Sequence, residues 1–425
     1  MLRFGTDGVR GNAETDLTPE LIAALGRAIV AVLHPERLLI GRDTRESGLR
    51  IQQELAGAGP SVELGVLPTP AIAFTAARLG LPAAVVSASH NPWIDNGVKV
   101  IGPDGYKLAD DVEAAIEAAI DPGSAGREVA RLERTEDAAD LYVQHLVSAL
   151  DAPSLGGLRV VLDCANGAAY EVGPRALRAA GADVTVLHAE PNGRNINEGC
   201  GSTHPESLQR AVLEQGAALG LALDGDADRV LAVDQTGALV DGDQIMTMLA
   251  LDRRVDAVVV TVMTNLGLRH ALHDAGIDVI ETPVGDRYVV EAMRSGGIAI
   301  GGEQSGHIVF SQYATTGDGL LTGLLVAELM HRRRRPLSAL AAQMTRYPQA
   351  LVNVRVGKRV DLGDAPNVWA AVREVERELG DDGRVLVRAS GTEPLVRIMV
   401  EATSQTVADA AAERLRPVVE TDFGT

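Results

Sequence analysis

Ala83-Ala84-Val85-Val86-Ser87-Ala88-Ser89-His90-Asn91-Pro92 places a short apolar run, half of it β-branched, directly before a polar tip. Pro82 bounds the run, so it predicts a buried strand, and Pro92 keeps the next residues from continuing a ladder. The strand therefore delivers Ser-Ala-Ser-His into a loop, where α/β folds usually mount their chemistry. Taken alone, such a tip is an ordinary polar turn. Two later stretches change that reading.

Asp224-Gly225-Asp226-Ala227-Asp228-Arg229 follows Leu219-Gly220-Leu221-Ala222-Leu223, a second short apolar strand candidate. If the extended geometry persists, carboxylates two residues apart point to one side and converge on a hard cation. An EF-hand loop would need Gly at its sixth position and Glu at its twelfth, where this chain has Arg229 and Gln235. Further on, Arg388-Ala389-Ser390-Gly391-Thr392-Glu393-Pro394 sets a glycine between two hydroxyl residues, with Arg397 in the strand candidate behind it. Glycine lets backbone amides approach an anion, and arginine forks add charge-assisted bonds, so this stretch reads as a phosphate cradle.

The chain of 425 residues exceeds what one hydrophobic core serves, so several domains are expected. An apolar content of 46% with only 3% aromatic residues suits Ala/Val/Leu-rich α/β layers. The net charge of −19 argues against nucleic acid as a partner, and a phosphorylated substrate must then be met by local positive clusters. Cys164 and Cys200 are isolated, lack the spacing of a metal site and read as reduced thiols. No basic-then-apolar leader and no apolar run of membrane-spanning length is visible, so the expectation is a cytoplasmic protein with no membrane partner. The sequence leaves oligomeric state open, a homodimer included.

Strand and helix patterns alternate along the whole chain. Thr18-Pro19-Glu20 opens a helix reaching residue 33, with Thr18 as N-cap. Leu38-Leu39-Ile40 predicts a strand ending in Gly41-Arg42-Asp43-Thr44-Arg45, whose arginines serve either an anion or the neighbouring carboxylates. Lysines occur only at 99, 107 and 358; unlike arginine, a lysine can release a proton, which makes Lys99 a candidate acid/base group or phosphate partner. Residues 122–127 read as a surface loop, and His331-Arg332-Arg333-Arg334-Arg335 as a solvated helix end. Terminal helices are expected over 368–379 and 406–415. The units 1–150, 151–240, 241–348 and 349–425 predict an α/β protein. It would have three similar mixed α/β sheet domains and a smaller C-terminal α+β domain around a central cleft, although no sequence repeat is evident.

Together these stretches resemble the α-D-phosphohexomutase superfamily. The likeness extends to Phe4-Gly5-Thr6-Asp7-Gly8-Val9-Arg10-Gly11 and Gly301-Gly302-Glu303-Gln304-Ser305-Gly306-His307, so five motifs in family order span nearly the whole chain. The resemblance implies that Ser89 is a phosphoserine and that Asp224, Asp226 and Asp228 hold Mg²⁺ together with the Ser89 phosphate. Arg388, Ser390, Gly391, Thr392 and Arg397 would grip the phosphate that is not reacting. Glu303 and Ser305 would bind sugar hydroxyls, Arg229 and Arg287 would add substrate contacts, and Arg10, Lys99 and His307 would supply charge stabilisation or proton transfer. A sugar bisphosphate, glucosamine 1,6-bisphosphate, would be the intermediate and activator.

Asn195-Ile196-Asn197, Cys200-Gly201-Ser202-Thr203, Val284-Gly285-Asp286-Arg287-Tyr288 and Thr316-Gly317-Asp318-Gly319 resemble the bacterial branch acting on glucosamine phosphates, which feeds amino-sugar nucleotide and cell-wall precursor synthesis. The implied partner is a small hexosamine phosphate. One departure is Ala227, where many members have Gly and mutases for mannose or glucose often have Ala. The alternative within the superfamily is a phosphomannomutase or phosphoglucomutase. A metal-dependent phosphatase would not need two phosphate-holding elements, and a silent sugar-phosphate binder would not need Ser89 beside three metal carboxylates.

Overall fold

The structure, a computed structural model, describes residues 4–5, 8–121, 132–134, 137–151, 154–357, 362–389 and 394–424. The expected surface loop at 122–127 therefore lies outside the described residues. The chain divides into two compact units, residues 1–263 with 275–343 and residues 264–274 with 344–425.

The first unit is built on three sheets. The first contains β1 (Val9–Asn12), β2 (Leu38–Arg42), β3 (Ser61–Val66), β4 (Ala83–Val86), β5 (Asp95–Ile101) and β6 (Leu132–Arg134), in the order β1-β5-β4-β2-β3-β6. The second contains β7 (Arg159–Asp163), β8 (Asp183–Leu187), β9 (Leu219–Leu223), β10 (Val230–Asp234) and β11 (Leu239–Val240), in the order β11-β10-β9-β7-β8. The third contains β12 (Ala257–Thr261), β13 (Asp278–Thr282), β14 (Ile300–Gly302) and β15 (Ile308–Phe310), in the order β13-β12-β14-β15.

One four-strand pattern recurs in all three. A first strand (β2, β7, β12) is flanked by a parallel second (β3, β8, β13) and a parallel third (β4, β9, β14), and a fourth (β5, β10, β15) returns antiparallel to the third. The expected similarity of the units is thus a likeness of topology. It was hidden in the sequence because each position requires only an apolar, β-compatible residue. In each repeat the third and fourth strands are joined directly, through residues 87–94, 224–229 and 303–307. All three connections carry a motif singled out from the sequence.

Local signals set the elements. β4 and β9 are buried along their whole length, as continuous apolar runs require. Pro19 takes the first position of helix Pro19–Leu33, where its missing N–H costs nothing, but the Thr18 hydroxyl makes no cap bond. Asp241 and Gln244 form a reciprocal capping box on helix Gly242–Arg253. The buried helix Gly319–Arg333 ends in an exposed basic run in which Arg332 and Arg333 pair with Asp252. Among the described residues no helix is long and apolar enough to cross a membrane.

The second unit carries β16 (Gln349–Arg355), β17 (Arg384–Ala389) and β18 (Leu395–Glu401) in the antiparallel order β16-β18-β17. Its core includes Val354, Val396, Ile398, Ala408 and Val419. Buried Glu401 accepts from Asn265 Nδ2 at 2.9 Å, Leu266 N at 3.1 Å and Gln349 Nε2 at 2.6 Å, and pairs with Arg384, which ties residues 264–274 into this unit. The last helix runs from Gln405 to Phe423, well past the expected end at 415. The helix continues through Pro417, and Val419 beyond it is buried.

Asp318 exposes the cost of one buried charge. Its carboxylate caps Leu321 N at 2.9 Å and accepts the Tyr142 hydroxyl at 2.9 Å, while burial pushes it up to about 6. The folded chain therefore holds this proton more tightly than the unfolded chain. The associated stability is full below the ordinary carboxylate value and is lost as pH rises through about 6. Asp318→Asn keeps an acceptor for both donors and removes the charge. Its unfolding free energy relative to the parent, measured by denaturant titration, should become more favourable between about pH 4.5 and about pH 7.5, by at most roughly 3 kcal/mol. A pH-independent difference would refute this.

Candidate active site

The connection after β4 turns tightly enough to hold Ser89 at φ 51°, a left-handed conformation unusual for serine. Several groups impose it. Ser87 Oγ donates to Asp43 Oδ2 at 2.6 Å and accepts from Ser89 N at 2.9 Å. Arg45, fully buried, pairs with Asp43 and donates to the carbonyls of Ser89 (2.8 Å), Asn91 (2.9 Å), Pro92 (2.5 Å) and Asp95 (3.1 Å). Of the two uses left open for Arg45, the structure selects pairing with the neighbouring carboxylate, and the rest of its guanidinium shapes the serine loop.

Asp224, Asp226 and Asp228 lie in the connection between β9 and β10, all buried, with one oxygen of each within 4.8 Å of the others. Their convergence does not come from persistent strand geometry, as the alternation suggested. The six residues form a turn in which Ala227 sits at φ 55°, so backbone curvature gathers the carboxylates. The Ala227 methyl is consequently a matter of backbone strain, since glycine is the residue at ease there.

The three repeats bring their loops together here. Ser89 Oγ donates to Asp224 Oδ2 at 2.7 Å. Lys99, from β5 and buried, reaches Asp226 Oδ2 at 2.9 Å and Asp228 Oδ2 at 3.3 Å. Thr69 Oγ1 donates to Asp226 Oδ2 at 2.6 Å. His307, from the third repeat, places Nδ1 3.7 Å from Asp228 Oδ2, while Gly317 N donates to its Nε2 at 3.1 Å. Arg229 Nη1 approaches His90 Nδ1 at 3.1 Å, and Ser89 Oγ lies 3.3 Å from the same nitrogen.

Electrostatics follow from this crowding. Burial, with Asp228 and Asp226 adding repulsion, pushes Asp224 well above the usual carboxylate range. Burial opposes ionisation of Asp228 too, but Lys99, His307 and Arg229 outweigh it and hold that carboxyl well below the range. His307 rises despite burial because Asp228, Asp286 and Glu303 face it. His90 is lowered by burial and then by Arg229 and Arg10, so the charge of Arg10 is felt at the serine loop.

The residues fit a hard divalent cation. Asp226 Oδ1 and Asp228 Oδ1 are buried and have no hydrogen-bond partner, and every donor in the triad is a carboxylate oxygen, the set that suits Mg²⁺.

Glu303 and Ser305 stand together in the connection between β14 and β15, with Ser305 Oγ 3.5 Å from Glu303 Oε2 and Gly285 N donating to Glu303 Oε1 at 3.2 Å. Arg287 is not drawn to the triad: its guanidinium is engaged by Asp110 and, at 2.5 Å, by Glu113 Oε2. In the second unit Arg388 and Arg397 are cross-strand partners. Burial and then Arg397 lower the pKa of Arg388, the mark of two like charges side by side. Ser390, Gly391 and Thr392 lie outside the described residues.

Sequence reading missed Thr69 and Asn197, whose Nδ2 donates to the carbonyls of Ser89 (2.9 Å) and Asn91 (3.1 Å). Thr69 adjoins no motif that bears charge, and Asn197 entered only through the family likeness of Asn195-Ile196-Asn197. It also missed the reason for Gly225. A Cβ there would stand 2.5 Å from the Ser89 carbonyl oxygen and 2.9 Å from Asn197 Nδ2. Gly225→Ala should therefore lower turnover by roughly two orders of magnitude by forcing the metal loop off the serine loop, at a stability cost of about 1–3 kcal/mol. Steady-state rates alongside thermal melting check this; unchanged turnover would show that the loops do not need this approach.

Four profiles of the phosphoglucomutase/phosphomannomutase family match the chain in succession. The α/β/α domains I, II and III match residues 1–126, 140–237 and 241–347, and the C-terminal domain matches 351–418. Phosphoglucosamine mutases of Rhodococcus erythropolis and Salinispora tropica are each 51% identical to it across 98% of both chains. The crystal structure of Aspergillus fumigatus N-acetylphosphoglucosamine mutase in complex with GlcNAc-6P and magnesium shares the fold, with a TM-score of 0.74 at 21% identity over 100% of this chain and 96% of that one. With half of its residues shared along nearly its full length, the chain belongs to the phosphoglucomutase/phosphomannomutase family, in the branch of the phosphoglucosamine mutases.

Proposed function

We propose that this enzyme interconverts glucosamine 6-phosphate and glucosamine 1-phosphate, with Ser89 as the phosphoryl carrier. The observation that carries the reading is the Ser89 hydroxyl 2.7 Å from Asp224 in a buried carboxylate triad, in a chain 51% identical to phosphoglucosamine mutases. In the forward step the phosphoserine P–O bond breaks as a bond forms to a sugar hydroxyl, whose proton passes to a base in the pocket. The resulting glucosamine 1,6-bisphosphate turns over and returns its other phosphoryl group to Ser89.

Asp224, Asp226 and Asp228 would hold Mg²⁺, which when bound neutralises charge on the transferring group. The chain's own side chains do the rest. Arg45, Asn197 and Ser87 hold the Ser89 backbone in place. Lys99, paired to Asp226 and Asp228, is a charge partner in this arrangement. His307 accepts from Gly317 N, so its neutral ring carries the proton on the Nδ1 that faces Asp228. Arg10 and Arg229 add positive charge beside His90. Glu303 and Ser305 offer hydrogen bonds to the sugar, and the Glu303 carboxylate suits the ammonium of glucosamine. Arg388 and Arg397, cross-strand partners in the second unit, are assigned to phosphate binding, together with Ser390, Gly391 and Thr392. Both cysteines are free and buried, in keeping with a cytoplasmic setting.

Specificity constants for glucosamine, glucose and mannose 6-phosphates test the substrate. Glucosamine 6-phosphate should lead, and a clear preference for mannose 6-phosphate would favour the phosphomannomutase alternative. In the same assay Ser89→Ala should abolish isomerisation. Ser87→Ala, losing its hydrogen bonds with Ser89 N and Asp43 Oδ2 but no reacting group, should retain turnover within roughly tenfold of the parent. Equal loss in both would remove Ser89 as the carrier.

Asp226→Asn replaces one anionic ligand by a neutral amide. Turnover at saturating Mg²⁺ should fall by about 3 kcal/mol in barrier, roughly a hundredfold, with the melting temperature largely retained. Activity indifferent to chelation in the parent enzyme would refute the metal assignment.

A further inference from the structure

A second cluster of metal-ligating side chains stands apart from the carboxylate triad. Asp163 ends β7, His188 follows β8, and Cys200 lies in the loop that carries Asn197. One oxygen, one ring nitrogen and one sulfur from these residues lie within 4.8 Å of one another. His188 Nδ1 is 3.0 Å from Asp163 Oδ2, near enough that the carboxylate raises the imidazole's pKa, although the angle falls short of a regular hydrogen bond. Two tetrahedral ligands each about 2.1 Å from one ion stand roughly 3.4 Å apart, so this pair would open by a few tenths of an ångström to admit it.

The surroundings hold these ligands in place. Asp163 Oδ1 accepts from Ala165 N at 2.8 Å and Oδ2 from Gly201 N at 2.9 Å, the kind of outer support that fixes a ligating carboxylate. His188 adopts φ 47°, and Asn166 N donates to its carbonyl at 2.7 Å. Asp163 and Cys200 are fully buried, whereas the His188 side chain keeps 30% exposure, which provides a path inward.

We propose that Asp163, His188 and Cys200 form a second metal site, selective for a borderline-soft divalent ion such as Zn²⁺. Thiolate, imidazole and carboxylate are the ligand types such an ion prefers, whereas the oxygen-only triad suits a hard cation. One carboxylate and one thiolate balance a double positive charge in a buried place. On binding, the Cys200 thiol proton leaves to solvent and the His188 ring carries its proton on Nε2. The fourth position is left to water. An ion there would brace the loop from which Asn197 holds the Ser89 and Asn91 carbonyls, so the site would support the serine loop from behind.

Cobalt(II), added alone to the whole protein freed of metal, is the probe. One equivalent should give a thiolate-to-cobalt charge-transfer band with tetrahedral d–d absorption, displaced by Zn²⁺ and untouched by excess Mg²⁺. The band should disappear in Cys200→Ser and persist in Asp226→Asn. His188→Asn, at the partly exposed ligand, should weaken Zn²⁺ binding by more than about tenfold even if the cysteine variant folds poorly. Absence of the band at one equivalent, its survival in Cys200→Ser, or unchanged Zn²⁺ affinity in His188→Asn would each overturn the site.

Discussion

Three buried carboxylates gathered within 4.8 Å impose the charge balance on which the rest of the first unit depends. Anions so placed repel one another and have lost their water, so the fold must supply positive charge or protons at the same spot. It does so from every repeat. Lys99 comes from the first sheet, Arg229 from the triad's own loop, and His307 from the third. Lys99 and His307 thereby tie the first and third sheets to the second. A divalent cation suits the two buried carboxylate oxygens that accept no hydrogen bond.

The recurring four-strand pattern explains how three sheets can address one point. In each repeat the third strand runs parallel to the first two, so its carboxyl end opens on the same edge as theirs, and the chain turns back directly into the fourth. The loop of Ser89, the loop of the carboxylate triad and the loop of Glu303 and Ser305 occupy equivalent places, residues 87–94, 224–229 and 303–307. Strand ends are rigid, whereas the turns beyond them tolerate the unusual backbone that such a site needs. Ser89 and Ala227 both sit in the left-handed region, and both are held from outside their own loop. Gly319 N donates to the Ala227 carbonyl at 3.0 Å, and the buried Arg45 fork grips the carbonyls around Ser89. The clamp is costly to bury and correspondingly specific: a lysine in place of Arg45 could not reach that many acceptors at once.

The strongly acidic chain also fits this arrangement. With a net charge of −19, long-range attraction for a phosphorylated sugar is poor, so recognition must be local. Arg388 and Arg397 standing as cross-strand neighbours, at an energetic cost to each other, is the kind of local concentration an anion would relieve.

The sequence by itself determined the strands, the loops at their ends and the chemistry of the triad. Each is written in a few contiguous residues: an apolar run, a turn former, a carboxylate at every second position. It also carried the family likeness through five motifs. Only the tertiary structure decided that Arg45 serves the loop rather than an anion, that Lys99 is buried among carboxylates, and that Arg287 is held by Asp110 and Glu113. Thr69, Asn197 and the meeting of Asp163, His188 and Cys200 belong to the same class. The separation along the chain, from Asp163 to His188 and on to Cys200, resembles no local metal spacing, because neighbouring strands in a parallel sheet are joined by crossovers of variable length. Register and strand order bring such residues together, and these are set by packing over the whole sheet rather than by any stretch of sequence.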